Sequence, residues 1–272
     1  MTIQETLFPW VGNKKFYLDF IESHLPPKWN KDKNTYIEPF LGSAIVFTFL
    51  RPRAAIISDC STYLMDIFKC MKSNQKLLYS EVKKLYDANG KETHSLVKST
   101  ICQTRSKYLK SAMFWYLLKT SLYSFVCPKA DGTAFTCCYK STGKPMQMKD
   151  ELYADTCKLL QQPSVQILDE DFEVPMSKGK KGDFIFIDPP YMNQKRPSRK
   201  IYNSFTATDH ERLVNVILKA HKKGCYIMMF NHDHPYLREK LADFNVVPVE
   251  HTKLRKMRSH FATYEEVMFT NY

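Results

Sequence analysis

Asp183-Phe184-Ile185-Phe186-Ile187-Asp188-Pro189-Pro190-Tyr191 is the stretch on which the reading of the chain turns. Four apolar residues bounded by an acid and two prolines are too short for a helix and suit a strand buried on both faces. The strand ends on a carboxylate, and α/β sheets place their sites at the carboxyl ends of strands. Two prolines fix the backbone that follows and remove two N–H donors, so the carbonyls beside them are free acceptors. An aromatic ring comes next. Two acceptors and a flat ring are what an exocyclic NH₂ on a planar base requires: carboxylate and carbonyl take its two hydrogens, and the ring stacks on the base. The nitrogen lone pair is then exposed to an electrophilic carbon.

Plainer readings compete. An Asp after an apolar strand also occurs in nucleotide-hydrolysing enzymes, but those need a phosphate loop of the form G-x-x-x-x-G-K-[ST]. Lys178-Gly179-Lys180-Lys181-Gly182 has the wrong spacing and no Ser or Thr. The other plain reading is a bare turn, and two upstream motifs weigh against it. Glu38-Pro39-Phe40-Leu41-Gly42-Ser43-Ala44 reads as a strand-to-helix turn whose glycine lets a ligand approach the backbone. Asp59 ends the next apolar run, 17 residues after Gly42, a spacing that suits ribose hydroxyls. Without a G-x-G-x-x-G, a nucleoside lacking phosphates suits this turn better than a dinucleotide. Phe8-Pro9-Trp10-Val11-Gly12-Asn13-Lys14-Lys15 brings an aromatic ring, a glycine and lysines near the start, enough to pack a ligand or anchor a helix.

Working outward, strands are expected at Thr35–Glu38, Ala54–Ser58, Val165–Leu168, 183–187, 225–230, 246–250 and 265–270, with a helix over 44–50. Leu64, Ile67, Phe68 and Met71 share a helical face, as do Leu78, Val82 and Leu85 in a second helix and Tyr108, Ala112, Trp115, Leu118 and Leu122 in a third. Asp131-Gly132 between two aromatic-rich runs, 123–129 and 134–140, predicts a hairpin. Thr208-Asp209-His210-Glu211 reads as a capping box before Leu213, Ile217 and Ala220. The α/β order is interrupted, so the chain divides into 1–61, an inserted, mostly helical block at 62–163 that carries the hairpin, and 164–272.

The 272 residues, 44% hydrophobic and 25% charged, are an ordinary globular composition. No apolar run reaches the roughly 18 residues of a membrane span, and no secretory leader is read at the start. Eight cysteines without C-x-x-C spacing read as reduced thiols of an intracellular protein and argue against a zinc ribbon. Net charge is +12, of which residues 178–200 supply +5 and residues 253–260 supply +4. A polyanion, nucleic acid ahead of a membrane, is the first physical partner. Asn231-His232-Asp233-His234 reads as a polar loop rather than a metal site.

W-x-G-x-K, E-P-F-x-G followed by an acidic strand end, and D-P-P-Y occur here in that order. In this the chain resembles the Dam-like DNA adenine-N6 methyltransferases. The likeness extends over about 1–72 and 165–272, with Asp171-Phe172, Phe205-Thr206-Ala207-Thr208-Asp209-His210 and Glu265-Glu266-Val267-Met268-Phe269-Thr270-Asn271-Tyr272 in keeping. It implies an α/β fold, a Rossmann-like methyltransferase sheet with the inserted block as target-recognition domain. It implies S-adenosylmethionine as methyl donor without a metal, and transfer to the N6 amine of an adenine flipped from duplex DNA. Trp10, Lys14, Phe40, Gly42, Asp59, Phe172 and Asp188 would then serve the cofactor, with Asp188, Pro189, Pro190 and Tyr191 binding the amine. Lys119, Tyr123, Lys129 and Lys140 of the hairpin region and Lys195, Arg196, Arg199, Lys200, Arg255 and Arg258 of the basic stretches would meet DNA. The chain departs from the family at Ala44, where a second glycine is common. It departs again at Leu118 to Phe125, where an N-R-x-x-F-N-G-L-like run is usual, so a GATC-type target is not carried over. The same amine chemistry would serve N4 of cytosine or an RNA amine. A non-catalytic DNA-binding protein of the same fold is the other class, opposed by the intact D-P-P-Y.

Overall fold

The computed structural model describes residues 5–129, 131–141, 146–192, 205–249 and 265–272. In chain order the regular elements are α1 (Leu18–Ser23), β1 (Thr35–Glu38), α2 (Ile45–Leu50), β2 (Ala54–Ser58), α3 (Thr62–Asp87), α4 (Lys91–Thr100), α5 (Lys107–Thr120), β3 (Cys127–Pro128), β4 (Phe135–Thr136), α6 (Asp150–Leu160), β5 (Val165–Leu168), α7 (Glu173–Ser177), β6 (Phe184–Ile187), α8 (Ala207–Lys222), β7 (Tyr226–His232), α9 (Pro235–Lys240), β8 (Asn245–Pro248) and β9 (Glu266–Thr270). By contact they fall into two units that interleave along the chain. One comprises 24–40, 52–58 and 170–272; the other comprises 1–23, 41–51 and 59–169.

The first is a sheet unit, with strands in the order β2-β1-β6-β7-β9-β8. Neighbours β2, β1, β6 and β7 are parallel, with Ile37 opposite Ile56 and Ile185, and Ile187 opposite Met229. Only β9 is reversed; it pairs antiparallel with both β7 and β8. This is a Rossmann-like sheet closed by a reversed strand. All four residues of β6 are buried, as the continuous apolar run requires. Because β1, β2 and β6 are parallel neighbours, their carboxyl ends share one edge, and the chain leaves that edge at Pro39, Asp59 and Asp188. The capping box of α8 sits two residues earlier than its sequence suggests. Thr206 is the N-cap and Asp209 closes the box, because the hydroxyl of Thr206 takes the Asp209 N–H while the Asp209 carboxylate takes the Thr206 N–H.

The second unit is helical. Helix α5 is buried from Ser111 to Leu118, so it is a core helix rather than a one-faced surface helix. Trp115 on α5 donates its Nε1–H to Tyr86 Oη of α3 at 2.9 Å and meets the edge of Phe8 at 5.0 Å. The two helices expected over 64–71 and 78–85 are one element, α3, bent where Asn74 leaves helical geometry (φ −154°, ψ 80°). Asn74 Oδ1 accepts the Leu77 N–H at 3.1 Å and so starts the second half. The hairpin forms around Gly132, but its strands pair over only two residues each, Cys127 with Thr136 and Pro128 with Phe135. All eight cysteines are free thiols.

Candidate functional site

The D-P-P-Y turn belongs to the sheet unit. Asp188 follows β6 directly and is half-buried; Pro189 is buried, and Pro190, Tyr191 and Met192 are half-buried. The turn is tied down by three side chains from β7 and β9. Asn231 Oδ1 accepts the Met192 N–H at 3.2 Å. His232 Nδ1 bonds the Met192 carbonyl oxygen at 2.8 Å, and because a carbonyl only accepts, that nitrogen carries the hydrogen. Tyr191 donates its hydroxyl to Glu266 Oε1 at 2.6 Å, and its ring meets the His232 ring edge-on at 5.1 Å. Asn231 is fully buried, and its Nδ2 has no hydrogen-bond partner among the described residues. An unpaired buried donor costs about 1–3 kcal/mol.

The sheet unit also gathers three phenylalanines from distant sequence. Phe40, just past β1, stacks on Phe172 at 5.5 Å with 23° between planes, and Phe205 lies against both, at 5.9 Å and 5.7 Å. The Arg212 guanidinium of α8 lies 5.0 Å from the centre of the Phe172 ring. Three carboxylates hold it there: Glu173 at 2.7 Å, Asp171 at 2.8 Å and Asp209 at 3.0 Å. Phe172 therefore presents a ring of fixed orientation. His210 packs edge-on against Phe205 at 4.7 Å, and burial pulls its pKa down to about 4.

In the helical unit Trp10 of the W-x-G-x-K motif meets Gly42. Gly42 has a left-handed backbone (φ +50°), and a Cβ there would stand 2.8 Å from Trp10 Cδ1. Only glycine lets the indole seat this closely. The Gly42 N–H donates to Asp59 Oδ2 at 3.1 Å, and the Ser61 N–H to Asp59 Oδ1 at 3.0 Å. Burial raises the Asp59 pKa, and those two N–H groups together with the Cys60 thiol oppose the rise. A carboxylate has about four acceptor positions, so capacity for hydroxyl donors remains. Lys14 is buried and donates to the Gly12 carbonyl at 3.2 Å. Ala44, where the family commonly has glycine, still adopts the left-handed conformation (φ +59°).

The same holds at the hairpin's approach. Tyr123 (φ +56°) and Ser124 (φ +55°) are consecutive left-handed residues, at the positions where Asn-Gly is usual in the family. Left-handed backbone costs a non-glycine residue roughly 1–2 kcal/mol. Tyr123 is 80% exposed, and Lys129 and Lys140 are also exposed. Lys119 differs: it is half-buried on α5, and burial, helped by nearby Lys149, lowers its pKa. Lys195, Arg196, Arg199, Lys200, Arg255 and Arg258 lie outside the described residues.

Reading the sequence alone did not pick out Asn231, His232, Glu266, Arg212 or His210 as site residues. For the first two the signal was present: polar residues ending an apolar strand belong at the same sheet edge as Asp188. Among the described residues no group of three or more His, Cys, Asp or Glu could hold a metal ion, and no helix is long and apolar enough to cross a membrane.

A family model described as D12 class N6 adenine-specific DNA methyltransferase matches residues 10–254. The Type II methyltransferase M1.LlaDCHI of Lactococcus lactis subsp. cremoris is 26% identical over 271 residues, covering 97% of this chain and 94% of that one. The Type II methyltransferase M.MjaIII of Methanocaldococcus jannaschii is 27% identical over 240 residues, 82% of each chain. A DNA adenine methylase of Vibrio cholerae is 22% identical over 262 residues, 93% of this chain and 91% of its own.

Proposed function

We propose a division of labour among these residues from one premise: the chain belongs to the D12 class of N6 adenine-specific DNA methyltransferases. Its reaction is the methylation of an adenine N6 amine in DNA. The observation that carries the residue assignment is the position of Asp188, at the carboxyl end of a fully buried parallel strand, on a turn whose backbone is fixed on both sides of Met192.

Asp188 and the carbonyl beside Pro189 accept the two hydrogens of the target amine, which turns its lone pair outward. Tyr191 stacks on the base. The adenine is flipped out of duplex DNA to reach this turn, since its amine is otherwise engaged in the base pair. When bound, S-adenosylmethionine supplies an electrophilic methyl carbon on a sulfonium, a leaving group that needs no metal. In the helical unit Asp59 would take ribose hydroxyls, with Trp10, Lys14 and Gly42 walling the turn beside it; in the sheet unit half-buried Phe40, backed by the buried Phe172, would meet an adenine ring. The amine would take the methyl as the methyl–sulfur bond breaks and leaves a neutral thioether, and the resulting cation would then lose one proton to solvent or to Asp188. No deprotonation is needed beforehand. Residues 62–163 are assigned to target recognition, with Tyr123, Lys129 and Lys140 as DNA contacts. Lys119 is the weakest of that set, because its charge is disfavoured by burial. The basic stretches at 193–200 and 253–258 would add phosphate contacts and a salt-sensitive affinity. Such a protein works inside a cell, where its DNA is.

Nucleoside mass spectrometry of DNA incubated with the protein and S-adenosylmethionine tests the assignment. N6-methyladenine is expected with the unaltered chain and none above background with Asp188→Ala, whose DNA affinity stays within a few-fold. An active Asp188→Ala would overturn it.

A further inference from the structure

We propose that His232 and Glu266, with Asn231, are positioning residues for methyl transfer: they clasp the Tyr191-Met192 end of the D-P-P-Y turn and hold its acceptors and ring in the attack geometry. The inference rests on the assignment of Asp188 to Tyr191 as the amine-binding turn.

The argument begins with what the turn itself lacks. Two consecutive prolines leave Pro189 and Pro190 without N–H groups, so neither can donate to the neighbouring strand. The first backbone donors after Asp188 are those of Tyr191 and Met192. The Met192 N–H goes to Asn231 and its carbonyl to His232, consecutive residues at the end of β7. β6 and β7 are parallel neighbours with Ile187 opposite Met229, so Asn231 stands two residues beyond Met229 just as Pro189 stands two beyond Ile187. A pair of side chains thus replaces the ladder bonds that the prolines remove.

Asn231 Oδ1 also accepts the His232 N–H at 2.8 Å, which fixes the amide with its oxygen toward the turn. Glu266 completes the clasp from β9, opposite His232 in the ladder, by accepting the Tyr191 hydroxyl. The Tyr191 ring is then confined by its hydroxyl and by the edge contact with His232. Asp188 is only three and four residues, and Pro189 only two and three, from these anchors at Tyr191 and Met192. Loosening the anchors shifts the acceptors relative to the amine, and displacements of about 1 Å at a reacting centre cost on the order of 10²-fold in rate.

Single-turnover methylation at saturating DNA and S-adenosylmethionine is the test, run on His232→Leu, His232→Asn, Glu266→Leu, Glu266→Gln and Tyr191→Phe beside Asp188→Ala. Asn places an amide N–H near the position of the histidine Nδ1, and Gln keeps a carbonyl acceptor near Glu266 Oε1, so these two separate the specific hydrogen bond from bulk. His232→Leu and Glu266→Leu should lose about 10²-fold in rate, and the Asn and Gln variants should recover to within about tenfold of the unaltered protein. KM for DNA and for the donor should move less than about threefold. Hydrogen exchange of the Met192 amide should quicken in His232→Leu while β6 and β7 stay protected. Should His232→Leu fail to fold, Glu266→Leu and Tyr191→Phe, the latter removing only the hydroxyl that Glu266 accepts, carry the test, and an unchanged rate in Tyr191→Phe would overturn the clasp. Unchanged rates in the Leu variants, or a loss confined to KM, or no recovery in Asn and Gln, would overturn the clasp. An active Asp188→Ala would instead overturn the assignment on which it rests.

Discussion

Tyr191 and Tyr123 both sit on turns, one in each unit, and the two are held in opposite ways. Tyr191 follows a buried strand, is half-buried, gives its hydroxyl to Glu266 and has its neighbour's N–H and carbonyl pinned by β7. Tyr123 is 80% exposed on a backbone that itself stores strain, φ +56° followed by φ +55° at Ser124. The hairpin that follows it pairs two residues in each strand. Chemistry on an amine demands fixed acceptors, which under the proposed assignment the sheet unit would supply. Meeting a nucleic acid demands a reachable ring, which under the same assignment Tyr123 of the helical unit would supply.

The contrast is broken most severely by Tyr191→Ala. It should lower the single-turnover rate by about 10²-fold or more while DNA affinity in a gel-shift titration changes little. Tyr123→Ala should do the reverse. Affinity should fall by about 1–3 kcal/mol if the ring stacks on a base, with the rate at saturating DNA retained. If both variants lost rate and affinity together, the division between the two turns would fail.

Acid should sharpen the comparison from the side of the sheet unit. Buried His210 has its pKa pulled from 6.5 down to about 4 by burial. The unfolded chain therefore takes up a proton that the folded chain refuses as pH falls from about 6.5 toward 4, and stability drops across that window by up to about 3 kcal/mol. Above it the group is neutral in both states and contributes nothing to the slope. Denaturant titrations at pH 7 and pH 4.5 should show this loss, and His210→Leu should reduce it.

Gly42→Ala should also be costly. Its methyl would meet the Trp10 ring at 2.8 Å, so about 1–3 kcal/mol of stability should be lost together with affinity for S-adenosylmethionine, measured by calorimetry. The smallest effect is a gain. Ser124→Gly should raise stability by about 1 kcal/mol by relieving the left-handed turn, and a thermal melt would read it as a shift of a few degrees.

What the sequence made legible follows the same division. The strands β1, β2 and β6 and the Asp188 turn could be read because burial on two faces writes uninterrupted apolar runs, and because proline and glycine mark their ends. The meeting of Trp10 with Gly42 was foreshadowed by paired motifs. The clasp was not legible: Met192 is 40 residues from His232, Tyr191 is 75 from Glu266, and only sheet pairing brings them together. The left-handed pair Tyr123-Ser124 was hidden because neither residue is a glycine or asparagine. Helix α4 buries only His94 and Val97, so its period is too faint to notice.

Replacing Asp188 by asparagine tests the central claim most directly, because it keeps the shape of the side chain and exchanges a double acceptor for a group that also presents N–H donors to the amine. With DNA and S-adenosylmethionine both saturating, the account predicts that methyl transfer by Asp188→Asn is slower by on the order of 10²–10³-fold, with both ligands still bound. Transfer at the rate of the unaltered protein would contradict it.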